Sequence, residues 1–359
     1  MAHQRKLAQE CSVEELDREL VARGAQIPDK KRFKFKDREG TLERAVIMAQ
    51  VKEFYEAAAS LSPSKNLRHL TTWELAKALM FKTRKMRIEG GRGIWDDDDR
   101  KDYYQIDDGQ VKKNADCVAA ICGKDDLIAE DNGFFRLKTK IFGKVFHLRD
   151  REPFCRQPIA AGRLCTGFLV KEDIIATAAH CIHGTSLSQL RFLFGYKMLD
   201  FSTAVTRVPN DNIYKGVEII DRVYRGFRGD GSDWALVKLD RKVIGQSVVT
   251  FPSAEISCGQ PVYVIGHPCG LPLKYAAGAR VKAFENVYFS ADLDVFSGNS
   301  GSPVFASNTH ELVGIVVRGD NRDFRWTCKG WISVKYPNRE IYSKGAQCTR
   351  YSEFSKYCR

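Results

Sequence analysis

Two patterns of hydrophobic and polar positions divide the chain. In the first ninety residues apolar side chains recur three or four positions apart, as they do along one face of a helix. Beyond about residue 111 the apolar positions form short runs that are separated by Gly, Pro, Asn and Asp. Such runs are typical of strands in an antiparallel barrel or sandwich. The pattern therefore predicts a small helical domain followed by an all-β domain.

Three helices are predicted before residue 89. Capping boxes, in which Ser or Thr is followed three residues later by Glu, begin the first helix at Ser12 and the third at Thr71. The approximate bounds are Ser12–Arg23, Leu42–Ala59 and Trp73–Lys85. The basic stretch KKRFKFK at 30–36 is interpreted as a solvated strand or loop, with the binding of an acidic partner as the alternative.

The β-like runs lie in the second part of the chain. They are Val118–Ile121, Phe134–Leu137, Val145–Leu148, Gly167–Val170, Ile174–Ala176, Leu190–Phe194, Ala235–Leu239, Val262–Ile265, Val304–Ala306, Leu312–Val317 and Trp331–Val334. Residues 266–273 are expected to form a turn between two of them.

A change of composition separates the two patterns. Glycine and like charges follow one another at EGGRG and DDDDRK, and such a sequence favours an exposed linker. We therefore expect a helical accessory or regulatory domain at 1–88, a linker at 89–112 and the β domain at 113–359. Arg92 and Arg100 in this linker are candidate cleavage sites, and a flexible tether without a regulatory role is the alternative.

Composition excludes several classes of protein. The 359 residues are 43% hydrophobic and 28% charged, and no run of 18 apolar residues predicts a membrane helix. The start of the chain has no apolar signal segment, so we expect a cytoplasmic protein. The net charge of +12 is spread along the chain, which makes nucleic acid an unlikely partner. Protein substrates, and a protein that binds the N-terminal helices, are the expected partners.

The eleven cysteines are expected to be thiols, because their number is odd and no CxxC pair is present. Cys165 and Cys181 are the pair that would form a bridge under oxidising conditions. The string HPCG at 267–270 and the pair Cys117 and Cys122 do not complete a set of four metal ligands. The sequence therefore predicts neither a metal nor a cofactor.

Three residues carry candidate chemistry. His180 lies in ATAAHC, Asp233 begins DWALVKL, and Ser300 lies in GNSGSP. A serine hydroxyl becomes a good nucleophile when a histidine removes its proton, and a buried carboxylate fixes the tautomer of that histidine. Each residue alone is compatible with a structural role, as a turn serine, a buried histidine or a strand-edge aspartate. All three in this order indicate a catalytic triad.

These motifs resemble the trypsin-like (chymotrypsin-fold) serine protease superfamily from about Cys117 to the C-terminus. The string GNSGSPV followed by LVGIV is most similar to bacterial glutamyl endopeptidase-like and related intracellular members. The resemblance implies two antiparallel β-barrels, with His180 and Asp233 in the first and Ser300 in the second. It also implies an oxyanion hole formed by the backbone N–H groups of Gly298 and Ser300.

The same resemblance identifies a substrate pocket. The residue six before the nucleophile, Asp294, would form its floor, and Val317, Arg318 and Gly319 would form one wall. An aspartate at the floor favours Lys or Arg in the substrate. The pocket histidine of the glutamyl enzymes has no counterpart at Val316, which argues against acidic specificity.

Asn299 departs from the pattern of secreted relatives. Those zymogens have an aspartate before the nucleophile, which pairs with a new N-terminal ammonium after cleavage. Asn299 carries no charge, so control is expected to lie in the helical segment or the linker. The sequence thus predicts a serine endopeptidase that works through an acyl-enzyme and cleaves after basic residues. The competing hypothesis is a catalytically silent protease-fold scaffold.

Overall fold

The computed structural model describes residues 88–89, 92–225, 231–319, 323–327, 330–336, 339 and 342–358. The chain divides into two units, residues 1–87 and 88–359. The three predicted helices and the basic stretch at 30–36 lie outside the described residues. In the part of the chain that is described, no helix has the length and apolar character needed to cross a membrane.

The second unit consists mainly of short strands. The first twelve are β1 (Ile88–Glu89), β2 (Ile94–Trp95), β3 (Lys101–Asp102), β4 (Val118–Gly123), β5 (Leu127–Ala129), β6 (Phe134–Leu137), β7 (Thr139–Ile141), β8 (Pro158–Ala160), β9 (Cys165–Lys171), β10 (Ile174–Thr177), β11 (Leu190–Phe194) and β12 (Arg207–Pro209). The others are β13 (Ile213–Tyr214), β14 (Gly216–Tyr224), β15 (Asp233–Leu239), β16 (Pro261–Gly266), β17 (Lys274–Phe284), β18 (Tyr288–Ala291), β19 (Pro303–Ala306), β20 (Leu312–Arg318), β21 (Phe324–Thr327), β22 (Gly330–Ser333), β23 (Lys335–Tyr336), β24 (Tyr342–Lys344) and β25 (Ala346–Arg350). Three α-helices are described: α1 (Gly109–Asp116), α2 (Phe142–Val145) and α3 (Ala179–Ile182).

Two large antiparallel sheets organise these strands. The first has the order β13-β11-β4-β9-β10-β15-β14 and forms a half-barrel. The second has the order β16-β19-β20-β25-β18-β17-β3, and a further pairing of β16 with β17 closes six of its strands into a barrel. The all-β double-barrel fold predicted for this part of the chain is therefore confirmed. Closure of a barrel removes the unpaired sheet edges at which other chains could add.

The two sheets share one core. A cluster of buried side chains joins Phe168 and Trp234 of the first sheet to Tyr263 and Phe305 of the second. A second cluster, which includes Phe289 and Val304, fills the interior of the closed barrel. Close packing of this kind makes the relative position of the sheets insensitive to thermal motion, so it fixes the residues that each sheet brings to their junction.

The prediction of an exposed linker at 89–112 is wrong for the residues that the structure describes. Ile94 and Trp95 are 0% exposed and lie on β2, which pairs in parallel with β23. Arg100, a predicted cleavage site, is 7% exposed, because its guanidinium pairs with Asp98 and lies over the Phe154 and Phe296 rings. Charges that are paired in this way can be buried at an acceptable cost.

Most predicted strands are present, and one is replaced. Residues 145–148 were expected to form a strand, but Val145 ends α2 and Leu148 makes only an isolated bridge to Trp331. The expected turn at 266–273 is confirmed, because β16 ends at Gly266 and β17 begins at Lys274. The long strands β14 and β17 escaped prediction because many of their side chains are only partly buried, which leaves no clear apolar alternation.

Cys165 and Cys181 form a disulfide, with 6.0 Å between their Cα atoms. The expectation of thiols is therefore wrong for this pair. The bridge joins the start of β9 to α3, so it fixes the helical turn that carries His180 against the strand beside it. The sequence identified this pair as the one that would form a bridge under oxidising conditions, and the antiparallel pairing of β9 with β10 brings the two residues together.

Candidate active site

His180 and Asp233 form a buried pair in the first sheet. His180 lies in α3, the single turn that follows β10, and Asp233 is the first residue of β15, which pairs with β10. The His180 Nδ1 atom is 2.7 Å from Asp233 Oδ2, and the His180 backbone N–H donates to Oδ1 over 3.1 Å. Both carboxylate oxygens therefore hold one residue, and they fix both the backbone and the ring orientation of His180.

Asp233 is itself held in place from the second sheet. The hydroxyl of Thr349, on β25, donates to the Asp233 carbonyl over 3.2 Å and lies 3.3 Å from the Asp233 amide nitrogen. Asp233 and Thr349 are both almost fully buried. These contacts fix the Asp233 backbone from which the carboxylate projects, so this anchoring supports an orienting role for Asp233.

Ser300 lies on the loop between β18 and β19, next to the turn that carries His180. Its carbonyl accepts a hydrogen bond of 2.9 Å from the Thr166 amide of β9, and it lies 3.5 Å from the sulfur of Cys181. Cys181 is the neighbour of His180 in the chain. The fold thus brings together the three residues that the sequence singled out, although they are separated by as many as 120 positions.

Glycine is required at two positions of this loop. Gly298 and Gly301 have φ angles of +92° and +87°, a region that side chains make unfavourable. A Cβ on Gly298 would lie 2.5 Å from the carbonyl oxygen of His267, and one on Gly301 would lie 2.0 Å from that of Thr166. The loop can therefore pack against the first sheet only because these two residues lack side chains.

The backbone N–H groups of Gly298 and Ser300 are the two that the resemblance assigns to an oxyanion hole. In a trans peptide the N–H points away from its C=O. The carbonyls that precede these two N–H groups are held by the Cys269 and Ser302 amides. Within 231–319, as elsewhere among the described residues, neither N–H has an acceptor. Two N–H donors directed at one developing oxyanion would stabilise it, each by about 3–4 kcal/mol.

Asn299 stabilises the loop without an ion pair. It is almost fully buried, and its Oδ1 accepts a hydrogen bond of 3.2 Å from the Ser302 hydroxyl. Its backbone N–H donates to the Phe296 carbonyl over 3.1 Å. The arrangement shows how this loop is held without the charged pair of the secreted zymogens, as expected from the neutral side chain.

Comparisons with known proteins agree with this geometry. Residues 165–315 match the family model described as a trypsin-like peptidase domain. This part of the chain matches a trypsin-like peptidase domain. The match begins at the cysteine before β9 and ends within β20, so it includes His180, Asp233 and Ser300. The resemblance found in the sequence to the trypsin-like superfamily is therefore confirmed.

Individual relatives are more distant. A trypsin-like protease of Streptomyces glaucescens is 26% identical over 187 residues, which are 44% of this chain and 65% of that protein. This chain thus spans somewhat less than two thirds of that relative. Among solved structures, a Glu endopeptidase shares 18% identity over 75% of this chain and 98% of its own, with a TM-score of 0.41. An inactive mutant of Rv3671c from Mycobacterium tuberculosis shares 12% identity over 70% and 89%, with a TM-score of 0.40.

Asp294 of the peptidase domain does not stand at the base of an open pocket. It is 5% exposed, and its Oδ1 accepts a hydrogen bond of 2.7 Å from the Trp95 amide. Burial raises the pKa of Asp294 well above its usual range, against a smaller lowering effect of Arg100. Asp294 is therefore held beneath Trp95 and is not open to a basic substrate side chain.

The predicted pocket wall is only partly as expected. Val317 is buried and Gly319 is half-buried at the end of β20. The Arg318 guanidinium donates to the carbonyl of Gly231 in the first sheet over 2.8 Å, so Asp294 is not its partner in this contact. Sequence reasoning missed Thr166, Ser297 and Asp323, because their contacts to the nucleophile loop join distant parts of the chain.

Among the described residues, one group of three possible metal ligands is close enough together to hold an ion. It consists of Cys165, His180 and Cys181. Their candidate ligand atoms lie within 4.8 Å of one another. However, the two sulfurs are joined to each other, and the thiolate form that binds metals is lost on oxidation. These atoms are close to one another because the disulfide packs beside the His180 ring.

Proposed function

We propose that the protein is a serine endopeptidase that hydrolyses peptide bonds with His180, Asp233 and Ser300. The observation that carries the proposal is the buried His180–Asp233 pair beside the Ser300 loop, in which the N–H groups of Gly298 and Ser300 have no acceptor among the described residues. A base, the carboxylate that orients it, a hydroxyl and an oxyanion site together supply what acyl transfer requires.

In this proposal Ser300 Oγ attacks the carbonyl carbon of the scissile bond, and His180 Nε2 takes the proton of the hydroxyl. Asp233 keeps the His180 Nδ1 proton on its own side, so that Nε2 is free to accept. The N–H groups of Gly298 and Ser300 bind the oxyanion. His180 then protonates the leaving amine, and water hydrolyses the acyl-enzyme by the same steps.

A fluorophosphonate probe tests this proposal, because it phosphonylates only an activated serine. Purified full-length protein should be labelled at Ser300, as located by peptide mass mapping, and Ser300→Ala should not be labelled. Ser302→Ala serves as the matched control, because Ser302 lies two positions away on the same loop but its hydroxyl bonds Asn299. No labelling of the wild type would favour the alternative, a catalytically silent scaffold with a protease fold.

We also propose that residues before the peptidase domain control it. The unit at 1–87 is followed, after four residues, by residues 92–95, whose Arg92 and Trp95 bond to Ser297 and Asp294. A partner that binds the first unit and pulls on this connection would alter the site. Measuring the rate of probe labelling with and without cleavage of the chain before residue 88 tests this: an unchanged rate would contradict it.

A further inference from the structure

The Arg92 side chain is held at the nucleophile loop. Its Nη1 donates to the Ser297 hydroxyl over 3.1 Å, and its Nε lies 3.4 Å from Asp323 Oδ1. Ser297 precedes the nucleophile by three positions. The backbone around Arg92 is fixed as well, because the Gly93 N–H donates to the Val295 carbonyl over 2.8 Å.

Arg92 also fills the space in front of Gly319, which was predicted to form part of one wall of the substrate pocket. A Cβ added to Gly319, at the end of β20, would lie 2.5 Å from Arg92 Cγ and 3.1 Å from its amide nitrogen. The arginine stem thus stands between the loop that carries Ser300 and the strand end that was predicted to line the substrate pocket. Its side chain is only 18% exposed. An extended chain in this place would block a substrate.

Asp323 is the charged group that this arginine meets. Both its oxygens lie 3.1 Å from the Ser297 amide nitrogen, and its side chain is 10% exposed. Cys269 is the other titratable group close to this pair, and burial raises the pKa of its thiol well above the usual range, so it adds no charge. Asp323 is therefore positioned by the very loop that presents the nucleophile, whereas Asp294 lies beneath Trp95.

We propose that Asp323 is the carboxylate that recognises a basic substrate side chain next to the scissile bond, and that Arg92 occupies that place as an internal stand-in for the substrate. The inference rests on the proposed endopeptidase function and names its substrate class, peptides with Arg or Lys before the cleaved bond. It also predicts that the full chain is inhibited, because a substrate must displace Arg92 before it can bind.

Cleavage of peptidyl aminomethylcoumarin substrates tests the substrate class. These would carry Arg, Lys, Gln, Leu or Glu before the scissile bond and be otherwise identical. Arg92→Met, which keeps the length of the side chain without its charge, should raise kcat/KM for the Arg peptide at least tenfold. Asp323→Asn in that background should reduce the preference for Arg over Gln at least tenfold, because a charge-assisted contact is lost.

The matched control is Arg136→Met. Arg136 also pairs with a carboxylate, Glu130 at 2.9 Å, but it lies on β6 and its side chain is 56% exposed. This variant should leave cleavage of every peptide unchanged. If Arg92→Met speeds no peptide, or if the Arg preference survives Asp323→Asn, the inference is wrong even though Ser300 is labelled by the fluorophosphonate.

A binding measurement separates the inference from catalysis. Benzamidine, a small aromatic cation, should bind Arg92→Met at least tenfold more tightly than the wild type in calorimetry, and the Arg92→Met, Asp323→Asn double variant should lose that gain. This result stands whether or not the protein cleaves peptides. Equal benzamidine affinity in all three proteins would overturn the inference, whereas absent labelling of Ser300 would overturn the proposed function alone.

Discussion

The contact between His180 and Asp233 determines which nitrogen of the histidine can act as a base. Asp233 Oδ1 receives the backbone N–H of His180, which leaves Oδ2 for the ring at 2.7 Å. The two oxygens have different roles, so the carboxylate cannot be replaced by a group that offers one acceptor. Replacing Asp233 alone therefore tests the proposed chemistry.

Asp233→Asn should abolish most activity while leaving the fold intact. The amide oxygen would keep the backbone N–H of His180, and the NH2 group would then face Nδ1. The proton of the ring would move to Nε2, which could no longer accept from Ser300. We expect kcat to fall about 10⁴-fold.

Steady-state kinetics together with thermal unfolding measure this effect. Asp211→Asn, at an exposed carboxylate on the surface, is the control and should keep full activity. An Asp233→Asn protein that retains a tenth of the wild-type kcat would show that the carboxylate does not orient the base.

Gly301→Ala tests a steric requirement. A Cβ at this position would meet the Thr166 carbonyl at 2.0 Å, whereas one on Gly245, which has a similar φ of +79°, would have no neighbour within 4 Å. Both substitutions impose the same backbone penalty, about 1–2 kcal/mol. We therefore expect Gly301→Ala to lower the free energy of unfolding by at least about 2 kcal/mol more than Gly245→Ala. Equal losses in urea denaturation would refute the contact.

At the scale of elements, the turn from β16 to β17 supports the nucleophile loop. His267 begins this turn, and its ring stacks on Tyr196 with 5.6 Å between centroids. Its Nδ1 lies 3.1 Å from the Leu271 carbonyl, which requires the proton on that nitrogen. Nε2 is buried without a partner among the described residues. The turn is thus built around a neutral imidazole.

Stability should therefore fall in mild acid. Burial lowers the pKa of His267 from about 6.5 to about 4. Below pH 6.5 the unfolded chain binds a proton that the folded chain refuses, so stability is complete above this pH and is lost as the pH falls towards 4. We expect about 2 kcal/mol less stability at pH 5 than at pH 7 from this residue.

Urea titrations of the wild type and His267→Phe at both pH values measure the difference. The substituted ring keeps the stacking partner of Tyr196 but cannot be protonated, so its stability should change less between the two pH values. Identical pH dependence in the two proteins would mean that His267 is not the group responsible.

For the molecule as a whole, local patterns in the sequence were enough to predict an all-β domain, and the resemblance of three short strings to a known family added the double-barrel fold and the candidate triad. His180, Asp233 and Ser300 each lie in a short string of residues that can be recognised on its own. The glycines beside Ser300, for example, are explained by the conformation of that loop alone. The segment around Arg92 could not be understood in this way. Its glycines and aspartates look exposed, yet Trp95 meets Asp294 across 199 positions, and no local pattern encodes that meeting.

The same limit applies to charge. Asp294 was found by counting back from Ser300, which assumes that the loop has the same path as in the relatives. Asp323 follows β20 on a different loop, and only the fold shows that it lies at Ser297. A carboxylate can be placed by counting only when the chain around it has no insertion, and the environment that decides its protonation is not visible in the sequence at all.

Thr166 joins the two sheets, so that neither can open without the other. From β9 of the first sheet its N–H donates to Ser300, its hydroxyl donates to the Gly298 carbonyl over 2.8 Å, and that same hydroxyl accepts from the His267 N–H over 3.2 Å. Separating the sheets must therefore break the hydrogen bonds that hold the Ser300 loop. Amide hydrogen exchange in β9 and in β19 should report one common opening energy, and Thr166→Val should lower both values together. In such a cooperative unit, any lesion that loosens either sheet also disturbs the loop that carries Ser300.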